Sequence, residues 1–470
     1  MLCLQEFTGR AVQQVGPMSP ARVTGRALPR RRRDPGVVAY SPGCPEFPRA
    51  TPGCRAPRHY PDMQVQLGAL QSTAYRRYWL GSLASIGATQ LLVLGAGWLV
   101  FELSGSPLKL GLLGAAGAVP QILVSLFGGV LADRLDKRKV LMVTSLVVGS
   151  LLLLLAVLQF THVVAVWHVI VIAALIGLTS GFDWPARQAF FPNLIERRHM
   201  MSAVALNSVL WQGTRMIVPA IGGIVIALSS TAVVFLAAAA GFFTMFLVMI
   251  SLKIVHRIPQ RGNSLQQFIE GLRFIGSSKL FAVLIPLTWM VTFFGVSYIQ
   301  LMPAFAEILG VGEKGFGFLV SASGVGSVTG TVLTMFIQNT RRLGWVILGG
   351  SFCATFALLG FCFVTAFAGA FENAYVAAMC FVVLMSLFNS IFLISSMTVL
   401  QMRVPDTLRG RVMGIHGITF SLIPLGALFS GSLASVYTAP AAVAIGASIV
   451  MLTVLSVATT QSEIRCLKGE

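Results

Sequence analysis

The amino-acid sequence predicts an all-α integral membrane protein with twelve transmembrane helices in two pseudo-symmetric six-helix halves, and three observations carry that prediction. Of 470 residues, 56% are apolar and only 11% are charged, a balance that a soluble protein cannot hold while keeping a charged exterior. Apolar runs long enough to cross a bilayer, each needing about 20 residues, recur twelve times between polar breaks. Arg and Lys fall almost wholly in alternate breaks, as the positive-inside rule requires of a multi-pass protein.

Residues 1–62 are of another kind: they are rich in proline and arginine, carry Arg30, Arg31, Arg32 and Arg33 in a row, and lack apolar periodicity. This basic extension is expected to be disordered. It has neither the apolar core of a secretory signal nor, with its many prolines, the amphipathic helix of an organelle-targeting peptide. It is read as upstream sequence carried by a mis-assigned start, with Met63 as initiator.

The first half, 63–255, holds spans at 78–101, 110–131, 140–160, 163–182, 202–228 and 232–254. Glu102 stands at the outer end of the first span, and Ser104-Gly-Ser-Pro107 suits a turn and the cap of the second. Gly129-Val-Leu-Ala-Asp-Arg-Leu-Asp-Lys-Arg-Lys139 sets six charged side chains between the second and third spans, so it is a polar hinge. Residues 256–279 form the longest polar break after the extension and serve as a linker. The second half, 280–460, has spans at 280–302, 315–338, 344–367, 374–400, 412–436 and 439–459, followed by a tail at 461–470.

A repeat relates the halves. Gln188-Ala-Phe-Phe-Pro192-Asn193 precedes the fifth span as Gln401-Met-Arg-Val-Pro405-Asp406 precedes the eleventh, and Pro219 and Pro424 fall inside those spans. Repeated halves with interrupted helices at matching positions are what alternating-access transporters show. One set of breaks holds Arg76, Arg77, Arg134 through Lys139, Arg187, Arg197, Arg198, the linker cations, Arg341, Arg342, Arg403, Arg409, Arg411, Arg465 and Lys468, whereas the other holds only Lys109 and Lys314. Both termini and the linker are therefore expected in the cytoplasm.

The net charge of +18 is accounted for by those loops, and no basic stripe is interleaved with aromatics, which argues against nucleic acid as a partner. The seven cysteines show no Cys-x-x-Cys spacing. Cys353, Cys362 and Cys380 lie in apolar spans and read as small buried residues, so neither a metal nor a redox site is expected.

Charges inside a membrane are costly, so each needs a reason. Arg215 stands within the fifth span and is read in two ways, as a cavity residue that binds an anionic or polar group or pairs with a titrating carboxylate, or as part of a structural ion pair or a cation bound to helix-end carbonyls. Asp183 and Arg187, four apart, share a helix face as a surface pair or a gating pair, with Pro185 disturbing the helix between them. Glu102 is placed at an interface, with proton relay as the alternative. Gln90, Asn207, Gln212, Tyr298, Gln300, Asn389 and His416 are polar candidates for a substrate cavity. His168 and His416 are read first as plain helix residues with satisfied ring nitrogens, although histidine can titrate usefully. Glycines at Gly111, Gly114, Gly117, Gly222, Gly223, Gly324, Gly326 and Gly330 permit close helix approach. There is no phosphate-binding Gly-x-x-x-x-Gly-Lys-Ser/Thr loop, no zinc-protease helix and no nucleophile elbow, so the chain is not read as an enzyme and no cofactor is expected.

These residues resemble the major facilitator superfamily. Its signature between helices two and three is matched by Gly129, Asp133, Arg134 and Arg138, with Asp136 where a second glycine is usual. That variant, together with Phe101-Glu-Leu-Ser-Gly-Ser-Pro107, Pro185-Ala-Arg-Gln-Ala-Phe190, Ala203-Val-Ala-Leu-Asn-Ser208 and Val404-Pro-Asp-Thr-Leu-Arg-Gly-Arg411, is similar to the branch that includes the enterobactin exporter and macrolide efflux proteins. Gly213, Pro219, Gly222 and Gly223 resemble the helix-five motif of proton-coupled exporters, with Val218 in place of a glycine. The resemblance implies a conformational switch in which Asp133 accepts hydrogen bonds across the halves, with Arg409 and Arg411 as neighbours, closing the cytoplasmic side.

It further implies a monomeric exporter of an amphipathic small molecule such as a drug, macrolide or siderophore, in the bacterial cytoplasmic membrane, with protons as coupling ion. Uptake or facilitated movement of a polar solute, and a non-transporting sensor, are the alternatives.

Overall fold

The computed structural model describes residues 68–132, 136–252, 264–337, 340 and 342–467, without the side chains of 126–132, 197, 264–268, 406–407 and 409–410. The extension 1–62 and the switch positions Asp133 and Arg134 lie outside that described set, and of the switch positions Gly129 and Arg409 only the backbone is described.

Among the described residues, twelve helices are long and apolar enough to cross a membrane. They are α1 Thr73–Ser104, α2 Pro107–Ala132, α3 Lys137–Phe160, α4 Val166–Phe190, α5 Met200–Leu228, α6 Thr231–Ser251, α7 Lys279–Ile308, α8 Gly312–Ile337, α9 Leu343–Ala366, α10 Ala374–Arg403, α11 Asp406–Ala434 and α12 Ala439–Thr460. Their outer faces leave Leu247, Phe336, Phe356 and Leu452 more than 60% exposed, which suits hydrocarbon rather than water. Caps set several ends. Ser72 accepts from the Tyr75 N–H at 3.3 Å, Asp136 from the Arg138 N–H at 3.0 Å, and Gly105 closes α1 at φ +57°, where a β-carbon would be strained. Asp136 thus stands at the N-cap of α3, the post for which a carboxylate is well suited.

Two expectations need correction. The helix interruption predicted at Pro219 and Pro424 does not occur, since α5 and α11 run unbroken through both prolines. The carbonyl released by Pro219, that of Arg215, faces Gly324 of α8, where an added Cβ would lie 2.8 Å from it, so a neighbouring helix shelters the freed acceptor. The break falls instead in α7, which passes from helix (Lys279–Met290) through a π turn (Val291–Gly295) and a 3-10 turn (Ser297–Leu301) to a short helix (Met302–Ile308). The second correction is α4, expected to end at 182 but extending through Pro185 to Phe190. The turn after the proline is pinned by Arg187, as described below.

Loops with many cations and loops with few lie at opposite ends of the bundle, here the basic end and the sparse end. At the sparse end the halves share one core, joining Leu99 and Phe235 of the first with Phe305, Phe361 and Ala442 of the second. At the basic end the core divides into two separate clusters. One is built from Tyr75, Leu141, Phe190 and Met245, and the other from Leu284, Ile347, Phe392, Ile415 and Val454. The connecting helix Ser264–Ser277 belongs to the second cluster through Ile275.

Candidate functional site: the seam between the halves

The halves meet along two equivalent helix pairs, α5 with α8 and α2 with α11. A Cβ added at Gly223 would lie 2.7 Å from the Glu313 carbonyl and 2.8 Å from the Gly317 Cα, and one at Gly111 would lie 2.7 Å from the Leu428 Cα. The backbones are in direct contact, as small residues allow. Trp98 of α1 stacks on Phe316 of α8 at 5.5 Å between ring centroids.

Polar candidates line this seam. Gln212 donates from Nε2 to the Thr331 hydroxyl at 3.2 Å, crossing from α5 to α8. Gln300 lies against Gly114 of α2, and its Oε1 is buried without a hydrogen-bond partner. Arg215 is half-buried on α5, within electrostatic reach of Tyr298 in the 3-10 turn of α7. The Tyr298 hydroxyl shares a 3.2 Å hydrogen bond with Ser386 of α10. Among the described residues Arg215 has no carboxylate partner. Asn389 lines a cavity of about 20 Å³ with Val291, Tyr298, Thr355 and Met385. Gln90 and Asn207 are half-buried on α1 and α5. Of the helix-five motif, Gly222 and Gly223 make close contacts with Leu94 and α8, while Gly213 has open space beside it.

Other candidates are committed elsewhere. Asp183 and Arg187 form an ion pair whose side chains are only 20% and 11% exposed, so the surface-pair reading is overturned. The Thr144 hydroxyl donates to Asp183 Oδ1 at 2.8 Å, and Arg187 Nη1 donates to the Ser85 hydroxyl at 3.1 Å, tying α1, α3 and α4 together. Arg138 donates from Nε to the Met249 carbonyl at 2.7 Å and from Nη2 to that of Ile250 at 2.8 Å, a cation on the carbonyl end of α6. Arg411, expected beside Asp133, is paired with Glu270 of the connecting helix. Gly271 lets that helix lie directly against Arg411 and Ile415, making Glu270 a partner from within the same half. Glu102 is exposed at the sparse end, within electrostatic reach of Glu313.

Sequence reasoning missed Ser85, Thr144, Glu270 and Thr331. Each is a single polar residue in an apolar or amphipathic helix, and only the partner's position gives it meaning.

Twelve spanning helices in two halves that meet along equivalent helix pairs define a membrane transporter of the major facilitator fold, rather than an enzyme. The chain belongs, over residues 65–468, to the family of transmembrane secretion effectors. It is 28% identical over 353 residues to a staphyloferrin A transporter of Staphylococcus aureus (strain NCTC 8325 / PS 47), covering 73% of this chain and 85% of that protein. It is 27% identical over 379 residues to the enterobactin exporter EntS of Escherichia coli O1:K1 / APEC, covering 78% and 86%. Among solved structures, the nucleoside transporter NupG matches with TM-score 0.65 at 11% identity, over 82% of this chain and 98% of that one. A bacterial homologue of the human lysosomal transporter Spinster, in an inward-facing and unoccupied conformation, matches with TM-score 0.64 at 13% identity, over 84% and 96%.

Proposed function

We propose that this transporter exports an anionic, siderophore-type metal chelator across the bacterial cytoplasmic membrane by alternating access, in exchange for protons. Arg215 carries the reading. A cation inside a membrane protein is retained at a cost and ordinarily faces a partner or a pathway, and among the described residues no carboxylate supplies one. An anionic oxygen of the cargo would, and the Tyr298 hydroxyl beside it could share that oxygen. A cationic drug would be repelled by the same site. The relatives named for staphyloferrin A and enterobactin support a chelator as cargo.

Shape and charge support loading of cargo from the cytoplasmic side. One shared core at the sparse end and two separate cores at the basic end favour access from the basic side, which the positive-inside rule assigns to the cytoplasm. Cargo would load there and leave after the seam of α5 with α8 and α2 with α11 opens. Asp133, Arg134 and Arg409 remain proposed parts of the switch on the strength of the sequence resemblance.

Export of enterobactin and staphyloferrin A from proteoliposomes tests this. Arg215→Ala should lower export of the active chelator at least about tenfold, the effect of losing one charge-assisted hydrogen bond, while Arg215→Lys retains part of it. Unchanged export by a well-folded Arg215→Ala protein would overturn the assignment. Chelator-dependent proton movement in the same vesicles tests the coupling.

A further inference from the structure

His416 of α11 is 4% exposed, and its Nδ1 has no hydrogen-bond partner. His168 behaves otherwise, its Nδ1 accepting from the Ala165 N–H at 3.0 Å. The hydroxyls of Thr419, Ser351, Ser395 and Ser396, all in residues at 0% exposure, are likewise buried and unpartnered, as is the indole N–H of Trp289. Helical spacing places these atoms around one core. Val412, Ile415, His416 and Thr419 share a face of α11, Phe392, Ser395, Ser396 and Val399 a face of α10, and Ile347, Leu348 and Ser351 a face of α9. Their apolar members all belong to the second half's basic-end cluster, against which Trp289 also packs.

This cluster adjoins the small cavity. Val291 belongs to both, Thr355 lies one turn beyond Ser351 on α9, and Asn389 lies two turns before Ser396 on α10. Tyr298, within electrostatic reach of Arg215, forms the cavity's other wall. Polar atoms therefore run from the Arg215 seam into the interior of the second half. Buried donors and acceptors almost always have a partner, commonly an ordered water, and a run of them ending on an imidazole is suited to carrying protons.

We propose that His416 is a proton-binding site in the second half, reached by water from the cavity beside Tyr298, and that it carries the proton exchanged for the cargo. Only the last clause rests on the exporter reading. The neutral imidazole accepts a proton from a hydronium ion delivered along the water, one N–H bond forming as the hydronium O–H bond breaks to leave neutral water, and it returns that proton to water on the other side without net change.

The charged groups on the elements packed against α11 are the Glu270–Arg411 pair and Arg273 in the middle of the connecting helix, Lys279 and Glu307 near the two ends of α7, Arg403 at the end of α10 and Lys109 at the start of α2. Among the described residues, Tyr298 is the other titratable group deep in the α7 segment that α11 contacts.

The test uses the full-length protein, labelled with nitrogen-15 histidine in lipid nanodiscs, and needs no cargo. The His416 resonance, identified by its loss in His416→Gln, should gain imidazolium character as the pH is lowered from about 8 to about 5. Ser395→Ala/Ser396→Ala should move its midpoint by roughly half a unit. A resonance that stays neutral over that range, or a midpoint unmoved by the serine changes, overturns the proposal. If His416→Gln does not fold, Thr419→Val, which should shift the same resonance, identifies it. In proteoliposomes, His416→Gln should lose enterobactin accumulation driven by a pH gradient yet keep enterobactin exchange. Retained gradient-driven accumulation would overturn the coupling role. Titration of His416 in a wild-type protein that exports no enterobactin would instead refute the cargo reading and leave the proton site standing.

Discussion

The two basic-end cores occupy equivalent places in the two halves and treat polarity in opposite ways. In the first, the Asp183–Arg187 pair and the hydroxyls of Ser85 and Thr144 bind one another across three helices. Ser82, Ser145, Trp98 and Thr231 supply that half's unpartnered buried atoms among the described residues, and none is ionisable at neutral pH. In the second, serine and threonine hydroxyls, an indole and an imidazole face an apolar cluster without bonding each other. A closed ion network resists rearrangement, because opening it strands a buried charge. An open set of polar atoms accepts exchangeable partners. The first half thus closes its buried polarity on itself, whereas the second leaves polar atoms open to exchangeable partners.

Breaking the first network should have the largest effect. Asp183→Ala leaves Arg187 buried and unpaired, and should lower stability by about 3–5 kcal/mol, read as a fall in thermal denaturation midpoint in detergent. Asp183→Ala/Arg187→Met should recover most of the loss, and a double variant as unstable as the single would refute the ion-pair account. Asp136→Ala tests a lesser tie in the same half, the N-cap of α3, at a cost of about 1 kcal/mol. Ser395→Ala/Ser396→Ala should change stability least, by under about 0.5 kcal/mol, since no protein partner is left stranded. A large loss would mean that those hydroxyls hold the second half together, and the contrast between the halves would fall.

Helix number and placement were legible in the sequence because bilayer thickness sets span length and every second loop declares itself by charge. Predicted and observed bounds of α3, α9, α10 and α12 agree within a few residues. The irregular turns of α7 were not legible: Val291–Leu301 is as apolar as a regular helix, and hydropathy does not record hydrogen-bond register. Arg215, Gln212, Tyr298, Gln300 and Asn389 were recognisable as polar residues in spans, and the structure brings them to the seam or the cavity beside it. Arg138 and Arg411 were singled out by resemblance to the family's switch, and their partners were not legible: the first caps α6 and the second holds the connecting helix. Charge type was readable, whereas choice of partner depends on which helix lies alongside.

The π turn of α7 carries a consequence for cargo sensing. A π turn holds one more residue per hydrogen-bonded ring than an α turn. Passing that residue along α7 rotates the residues it traverses by about 100° and slides them about 1.5 Å, leaving the helix on either side in place. Tyr298 lies just past this spare residue. A ligand drawing on its hydroxyl could therefore re-index half a helix while both ends of α7 stay anchored, so that a small tug at Arg215 becomes a discrete click in the second half.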